Sequence, residues 1–235
     1  MTDVTFAVVE IEPEPFAVTP VLNARLGVAG VGEDPIHAIA LRCQVRIEPM
    51  RRGYSDEEAA GLLDLFGPRE RWSSTLHNFQ WLQTSAMVQG FTGATQVTLP
   101  LECTYDFEVA AAKYLHALRD GYVPLQFLFS GTVFSKGPRG FAVQQVPWDR
   151  EDRFEMPVSV WRDLIQQHYP GTGWLRLNHD TIDALATYRS ARGLLSFDEA
   201  VTSLLAACGC CGTASTAADE FVAGIDRHQI ALRRG

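Results

Sequence analysis

The sequence predicts an α+β protein: an N-terminal antiparallel β-sandwich or barrel-like domain with two inserted helices, followed by a C-terminal helical segment. In the first two thirds of the chain apolar and polar residues alternate, as in strands with one buried face, and strands and helices do not alternate as a parallel sheet requires. After Trp148 the apolar residues recur with the period of a helix. The predicted boundaries are a β domain over 1–150, a helical segment packed on it over 151–206, and a small-residue linker with a terminal helix over 207–235.

The strand with the clearest alternation covers residues 41–47. Its odd positions are apolar and its even positions, beginning with Arg42, are polar, so one face should be buried. The same pattern recurs over 97–107, where Pro100 indicates an edge position or a bulge. Further predicted strands are Phe16–Val18, Ala24–Ala29, Phe79–Val88, Pro124–Phe134 and Phe141–Val146. Gly and Pro residues between the last two favour a tight hairpin.

Capping residues and apolar spacing predict the helices. Ser55, with Glu58 three residues later, has the spacing of a capping box and opens the first inserted helix, which ends at Gly67-Pro68. The second inserted helix is predicted over Phe107–Arg119. Predicted C-terminal helices contain Val160–His168, Ile182–Tyr188, and a segment opened by Ser196 with Glu199.

The composition is that of an ordinary globular chain, with 46% hydrophobic and 20% charged residues. No run approaches the roughly 18 apolar residues that span a bilayer, and the first residues lack the basic start of a secretory signal. We therefore expect a cytoplasmic protein without membrane insertion. The net charge of −8 has the wrong sign for binding a phosphate backbone, so nucleic acid is not an expected partner.

Motifs of common enzyme classes are missing from the sequence. The chain has two lysines, Lys113 and Lys136, and neither lies in a glycine-rich phosphate loop. Gly30-Val31-Gly32 lacks the third glycine of a dinucleotide fingerprint. Ser130 lacks the first glycine of a nucleophile elbow, and Gly131 after it is interpreted as a bulge. We predict no catalytic residue and no cofactor. An enzyme whose carboxylates, such as Asp106 and Glu108, meet only in three dimensions stays an alternative.

Metal ligation has one candidate in the sequence. The six histidines are scattered and lack the helical pair spacing of a zinc site. Cys208, Cys210 and Cys211 offer soft ligands, and His228 is a candidate fourth. Because their spacing differs from the Cys-x-x-Cys knuckle, we predict reduced cysteines in a linker and no metal site. A metal- or electron-handling protein that uses this Cys-x-Cys-Cys segment stays an alternative function.

A cluster of arginines and aromatic residues is the predicted partner-binding site. The polar face of the 41–47 strand continues toward two further arginines and an aromatic segment. Arginine and aromatic side chains dominate binding hot spots. The alternative is a solvated face whose arginines pair with nearby glutamates. The predicted residues are Arg42, Arg46, Arg51, Arg52, Tyr54, Arg71 and Trp72. The five tryptophans, Trp148 among them, are interpreted as more typical of a core.

Several phrases of the sequence resemble one protein family. They include LRCQVRIEP over 41–49, CTYDFE over 103–108 and PLQFLFSGTVF over 124–134, together with LFG, RW, VPW and MPVSVW. Over roughly residues 16–205 the chain is similar to an actinobacterial family of uncharacterised proteins, a domain of unknown function often encoded beside NiFe-hydrogenase genes.

This resemblance implies a genomic neighbourhood and no catalytic residue. From it we expect a non-catalytic accessory or adaptor protein that binds another protein. The expected partner is a hydrogenase subunit or a maturation factor, met during assembly or operation of the hydrogenase.

Overall fold

In the residues that it describes, the computed structural model has eight strands, with helices inserted between them and at the C-terminal side. It describes residues 3–31, 35–104, 109–137, 140–172 and 175–208. The strands are β1 (Asp3–Pro13), β2 (Val21–Val31), β3 (Ile36–Ile47), β4 (Phe79–Phe91), β5 (Ala94–Glu102), β6 (Tyr122–Gly137), β7 (Gly140–Gln145) and β8 (Glu151–Pro157). The helices are α1 (Asp56–Gly61), α2 (Leu63–Phe66), α3 (Trp72–Thr75), α4 (Ala110–Ala117), α5 (Val158–His168), α6 (His179–Ala191) and α7 (Phe197–Ala207).

The strands pair into two antiparallel sheets. One sheet has the order β1-β2-β5, and the other has the order β4-β3-β6, with β7 and β8 both paired to β6. Within the described ranges the two sheets stay separate and do not close into a barrel. The alternation predicted over 41–47 is confirmed, because Leu41, Cys43 and Val45 are buried while Arg42 is exposed.

One apolar core includes residues of both sheets. Phe6 of β1 stacks on Phe129 of β6, with 4.7 Å between the ring centroids. Trp161 of α5 is buried and meets Trp81 of β4 edge to face at 6.3 Å. Such aromatic pairs bury large areas and add about 0.5–1.5 kcal/mol beyond that burial. The sheets and α5 therefore share one packed interior.

Asp152 satisfies part of the outer edge of β1. The backbone N–H of Val8 donates to Oδ2 of Asp152 over 2.7 Å, where a bulge between Val8 and Glu10 interrupts the pairing with β2. Unpaired N–H groups at a sheet edge invite pairing with other chains. The carboxylate removes one such group from this edge.

The observed strands correct the predicted ones. β1 and β8 are missing from the prediction, and Phe16–Val18 forms a turn and bend instead of a strand. In β1 the bulge after Val8 interrupts the alternation, and in β8 Met156 alone is fully buried. Each strand therefore has only a short apolar alternation, over Val4–Val8 in β1 and over Phe154 and Met156 in β8. Helical structure on the C-terminal side begins at Val158, after β8, and not directly after Trp148.

The predicted capping signals are confirmed, although the first inserted helix is divided into two short pieces, α1 and α2. Ser55 Oγ accepts from the Glu58 N–H over 3.1 Å, and the Glu58 carboxylate accepts from the Ser55 N–H over 2.9 Å. Ser196 likewise caps α7 by accepting from the Glu199 N–H over 3.1 Å. α4 begins at Ala110, and residues 107 and 108 of the predicted helix lie outside the described ranges.

The chain divides into two compact units, residues 1–175 and 176–235. β8 and α5 therefore lie in the first unit with the sheets, beyond the predicted boundary at 150. In the second unit the Tyr188 hydroxyl of α6 meets Ser203 Oγ of α7 at 3.0 Å. The predicted linker and terminal helix lie outside the described residues from 209 onward. None of the described helices has the length and apolar content that crossing a membrane requires.

Candidate binding surface

A short loop lies at the middle of one sheet edge. β7 pairs with residues 132–137 of β6, and β8 pairs with residues 122–128, so the connecting residues 146–150 lie between the two strands. The Val146 N–H donates to the Gly131 carbonyl, and the N–H of Phe129 donates to the carbonyl of Arg150, each over 2.9 Å. Backbone hydrogen bonds therefore hold both ends of this loop to β6.

Arg150 also ties the loop to the first strand. Its Nε donates to the Val4 carbonyl over 2.9 Å, and its Nη2 donates to the Asp3 carboxylate over 2.7 Å. The hydrogen bond with Arg150 lowers the pKa of Asp3, and the same bond raises the pKa of Arg150. Both groups stay charged at neutral pH, so the tie persists there.

Trp148 stands at the tip of this loop with 95% of its surface exposed. Its exposure corrects the interpretation of this tryptophan as a core residue. The available sequence signal is the pair Pro147 and Asp149 on either side, since proline and aspartate are typical of turns. The loop therefore presents an indole to solvent from a fixed backbone.

Trp148 lines a depression of about 620 Å³ on the outer face of the β4-β3-β6 sheet. The lining residues are Arg42, Cys43, Gln44, Gln83, Thr84, Ser85, Leu128, Phe129, Ser130 and Trp148. Among these described residues Arg42 alone carries a charge. The volume lies within the range of roughly 300–1,000 Å³ that is usual for small-ligand sites.

Polar side chains of the depression differ in how they are held. The side chain of Gln44 donates to Gln80 Oε1 and accepts from Arg46 Nη2, each over 3.0 Å, so its amide is oriented. The side chains of Arg42 and Gln83 form no hydrogen bond or ion pair with another described residue. Their donors and acceptors are therefore available to a ligand.

The structure divides the predicted arginines between the surface and the interior. Arg42 and Arg46 lie on the outer face of β3, as predicted. β3 ends at Ile47, and a 3-10 turn over Pro49–Arg51 breaks the alternation. Arg51 reaches back to Glu48, with 3.5 Å between Nε and Oε2. The four predicted arginines consequently do not form one face, because the side chain of Arg52 is only 6% exposed.

Arg52 is the centre of a buried polar cluster. Its Nη1 donates to the Tyr122 carbonyl over 3.0 Å, and its Nη2 donates to Glu58 Oε1 over 2.8 Å. Glu58 also accepts from the N–H groups of Ser55 and Arg119. Burial opposes ionisation of Glu58, but the N–H donors and the Arg52 guanidinium outweigh it and lower the pKa of this carboxyl. Arg52 thus connects α1 to β6 through buried polar contacts.

The predicted aromatic residues also have partners inside the protein. The Tyr54 hydroxyl donates to the Pro49 carbonyl over 2.7 Å and lies 2.8 Å from the Tyr114 hydroxyl. Burial raises the pKa of Tyr54 to about 12. Trp72 Nε1 donates to a backbone carbonyl over 2.9 Å, whereas Arg71 is exposed. Tyr54 and Trp72 therefore lie apart from the depression, half-buried against the core.

The structure describes some residues of the alternative metal and carboxylate sites and not others. Among the described residues no group of three or more His, Cys, Asp or Glu side chains is placed to hold a metal ion. Cys208 is exposed at the end of α7. Burial raises the pKa of Cys43 and Cys103 to about 12, which keeps both as thiols. Outside the described residues lie Asp106, Glu108, Cys210, Cys211 and His228.

A family model matches residues 1–211 of the chain. The chain belongs to DUF6084, a family of unknown function. The match confirms the predicted resemblance at the level of a domain of unknown function, while the actinobacterial origin and the hydrogenase neighbourhood stay predictions. No curated protein matches this DUF6084 chain.

Solved structures resemble this DUF6084 chain only remotely. A late embryogenesis abundant protein is 12% identical with a TM-score of 0.33, over 68% of this chain and 74% of that one. The β-glucosidase of Kluyveromyces marxianus is 10% identical with a TM-score of 0.24, over 66% of this chain and 15% of that one. β-Glucosidase 3B of Thermotoga neapolitana is 9% identical with a TM-score of 0.26, over 66% and 17%. Similarity this low supports no argument about function.

Proposed function

We propose that this DUF6084 protein is a non-catalytic binding protein, and that the depression beside Trp148 and Arg42 holds another protein. One observation carries the proposal: a fully presented indole on a hydrogen-bonded loop lies beside a guanidinium without a partner among the described residues. Trp and Arg are enriched among the residues that dominate binding energy. A loop that is already ordered also reduces the entropy lost on association.

The arrangement of the sheets supports this use of the surface. We infer a sandwich-like packing from the Phe6–Phe129 ring pair and from the core that includes residues of both sheets. In such a packing the inner faces are occupied and the outer face of the β4-β3-β6 sheet is open to a partner. The exposed side chains of Arg42, Gln83 and Ser130 lie on that face.

The resemblance described above supplies the candidate partner. Genes of the similar family often neighbour NiFe-hydrogenase genes, so the proposed partner is a hydrogenase subunit or a maturation factor. The protein would then serve as an accessory or adaptor in the cytoplasm during assembly or operation of the hydrogenase. This part of the proposal rests on genomic neighbourhood, and the binding surface is argued independently of it.

Affinity purification with matched variants tests the proposal. The tagged protein is expressed in a native host that makes a NiFe hydrogenase, and the co-purifying proteins are identified by mass spectrometry. We expect a hydrogenase subunit or maturation factor with the unaltered protein. Trp148→Ala and Arg42→Ala should each weaken the complex about 30-fold or more, as hot-spot residues do.

Two control variants make the result specific to the surface. Phe16→Ala removes another aromatic side chain that is 91% exposed, and Arg162→Ala removes another exposed arginine that lies outside the predicted site. Both controls should retain the partner. A complex that survives both Trp148→Ala and Arg42→Ala would contradict the proposed surface, and repeated purification without a hydrogenase-related protein would contradict the proposed partner.

A further inference from the structure

The surroundings of Arg42 leave room for an anionic group. In the strand register Ser85 of β4 and Ser130 of β6 lie directly opposite Arg42 on its two neighbouring strands. Both are short, exposed residues, and neither neighbour supplies a carboxylate. Opposite charges on adjacent strands commonly pair, so the missing acid leaves the planar donor fork of Arg42 open. A guanidinium binds a carboxylate through two parallel hydrogen bonds in this geometry.

Charge restricts where an acidic partner can bind. The chain has a net charge of −8, and carboxylates are repelled by a surface of that sign. The described lining of the depression carries one positive charge and no negative one. The charge of this lining is therefore opposite in sign to that of the whole chain and favours an acidic ligand at Arg42.

Trp148 and Leu128 add an apolar contact beside the charged one. Leu128 is half-buried in the lining, and Trp148 is almost fully exposed. A ligand that buries the indole must therefore carry an apolar or aromatic group close to its carboxylate. Gln83 and the two serines supply donors and acceptors at the same surface, which suit the main-chain amides of a peptide.

We propose that the depression binds an acidic segment of a partner protein, with one carboxylate on Arg42 and a neighbouring apolar or aromatic side chain on Trp148. This inference rests on the proposed binding function and specifies the chemistry of the partner. A small acid such as citrate offers the carboxylate without an apolar group, and a nucleic acid is disfavoured by the net charge of −8. The protein segment satisfies both contacts at once.

Selection from a displayed library of random 12-residue peptides tests the inference with the full-length protein. The unaltered protein should enrich peptides that carry Asp or Glu within two residues of Trp, Tyr, Phe or Leu. Arg42→Gln should lose this acidic preference, while Arg162→Gln, which changes another exposed arginine outside the predicted site, should keep it. Enrichment of peptides without an acidic residue, or no enrichment at all, would overturn the inference.

A double-mutant cycle on one selected peptide then measures the Arg42 contact. Replacing the peptide Glu by Gln, or Arg42 by Gln, should each weaken binding about 10-fold to 100-fold, as expected for a charged hydrogen bond. The two changes together should weaken binding little further if the groups contact each other. Arg42→Lys should restore part of the affinity. Equal binding to the unaltered and Arg42→Gln proteins would overturn the inference.

The two proposals fail in different ways. If Trp148→Ala loses the native partner while no acidic peptide is selected, the acidic-segment inference falls and the proposed binding surface stands. If Trp148→Ala and Arg42→Ala both retain the native partner, the proposed surface itself falls. Citrate and a single-stranded oligonucleotide serve as competing probes, and stronger binding of either than of the peptide would overturn the inference.

Discussion

The protein uses two arginines that are ten residues apart in opposite ways. Arg42 is exposed beside Trp148 and has no partner among the described residues, whereas Arg52 is buried and satisfied by Glu58 and backbone carbonyls. The difference arises where β3 ends, because the chain leaves the two-residue period and Arg52 is turned into the interior, while Arg51 stays exposed. Residue type alone therefore does not distinguish a binding residue from a structural one.

The largest expected difference is in stability on removal of each arginine. Arg52→Ala leaves the carboxylate of Glu58 buried without its cation, which should lower the free energy of unfolding by about 3–5 kcal/mol. Arg42→Ala should change it by no more than about 0.5 kcal/mol, as is usual for an exposed side chain. Urea denaturation of both variants measures this difference. Equal losses would show that the two regions do not differ in the way proposed.

A smaller loss is expected where the loop of Trp148 is anchored. Gly131 has φ +149, and a Cβ there would clash with the backbone carbonyl oxygen of Ala40. This close approach, and not the predicted bulge, explains the glycine, since the pairing of β6 with β3 is regular at this position. Gly131→Ala should cost about 2–3 kcal/mol of unfolding free energy. It should also weaken partner binding, because the Gly131 carbonyl holds Val146.

The control for this variant lies at another glycine. Gly53 has no atom within 4 Å of an added Cβ and no positive φ, so Gly53→Ala should leave stability nearly unchanged. Denaturation midpoints and peptide affinity are measured for both variants. A Gly131→Ala protein with unaltered stability would contradict the account of the close approach.

The smallest expected effect is a dependence of the free energy of unfolding on pH in the acid range. Because the folded pKa of Glu58 lies below its ordinary value of 4.5, its stabilising contribution is present above that value and is lost as the pH falls through the folded pKa. We expect the unaltered protein to lose more stability than Glu58→Gln between pH 5 and the acid range. Thermal unfolding at several pH values checks this, and parallel losses in the two proteins would contradict it.

Strands with a long apolar alternation could be predicted from the sequence, whereas β1 and β8 could not. β3, β4 and β6 have residues on one face buried against the core, and their apolar pattern shows it. In β1 the alternation stops at the bulge after Val8, and in β8 the inward positions include a charged residue, Asp152, and only two apolar ones, Phe154 and Met156. Their positions follow from pairing with partners elsewhere in the chain, which local periodicity does not report.

Of the two main residues of the candidate surface, Arg42 could be predicted from the sequence and the position of Trp148 could not. Arg42 follows from the alternation of β3, since it lies on the polar face. Trp148 reaches the same place because β7 and β8 divide one edge of β6 and leave the loop between them. Ser85 and Ser130 become part of the surface only through the strand register, which places both opposite Arg42. These contacts are tertiary, and a single sequence carries no local signal for them.

The loop over 146–150 has a consequence for how such a protein can change over time. Both of its ends are fastened to β6, while its tip makes no demand on the packing of the core. Exchanging the residues between Val146 and Arg150 would alter the ligand preference and leave the sheets intact. The split edge of β6 is thus a natural grafting position, where new specificity can be introduced at little risk to folding.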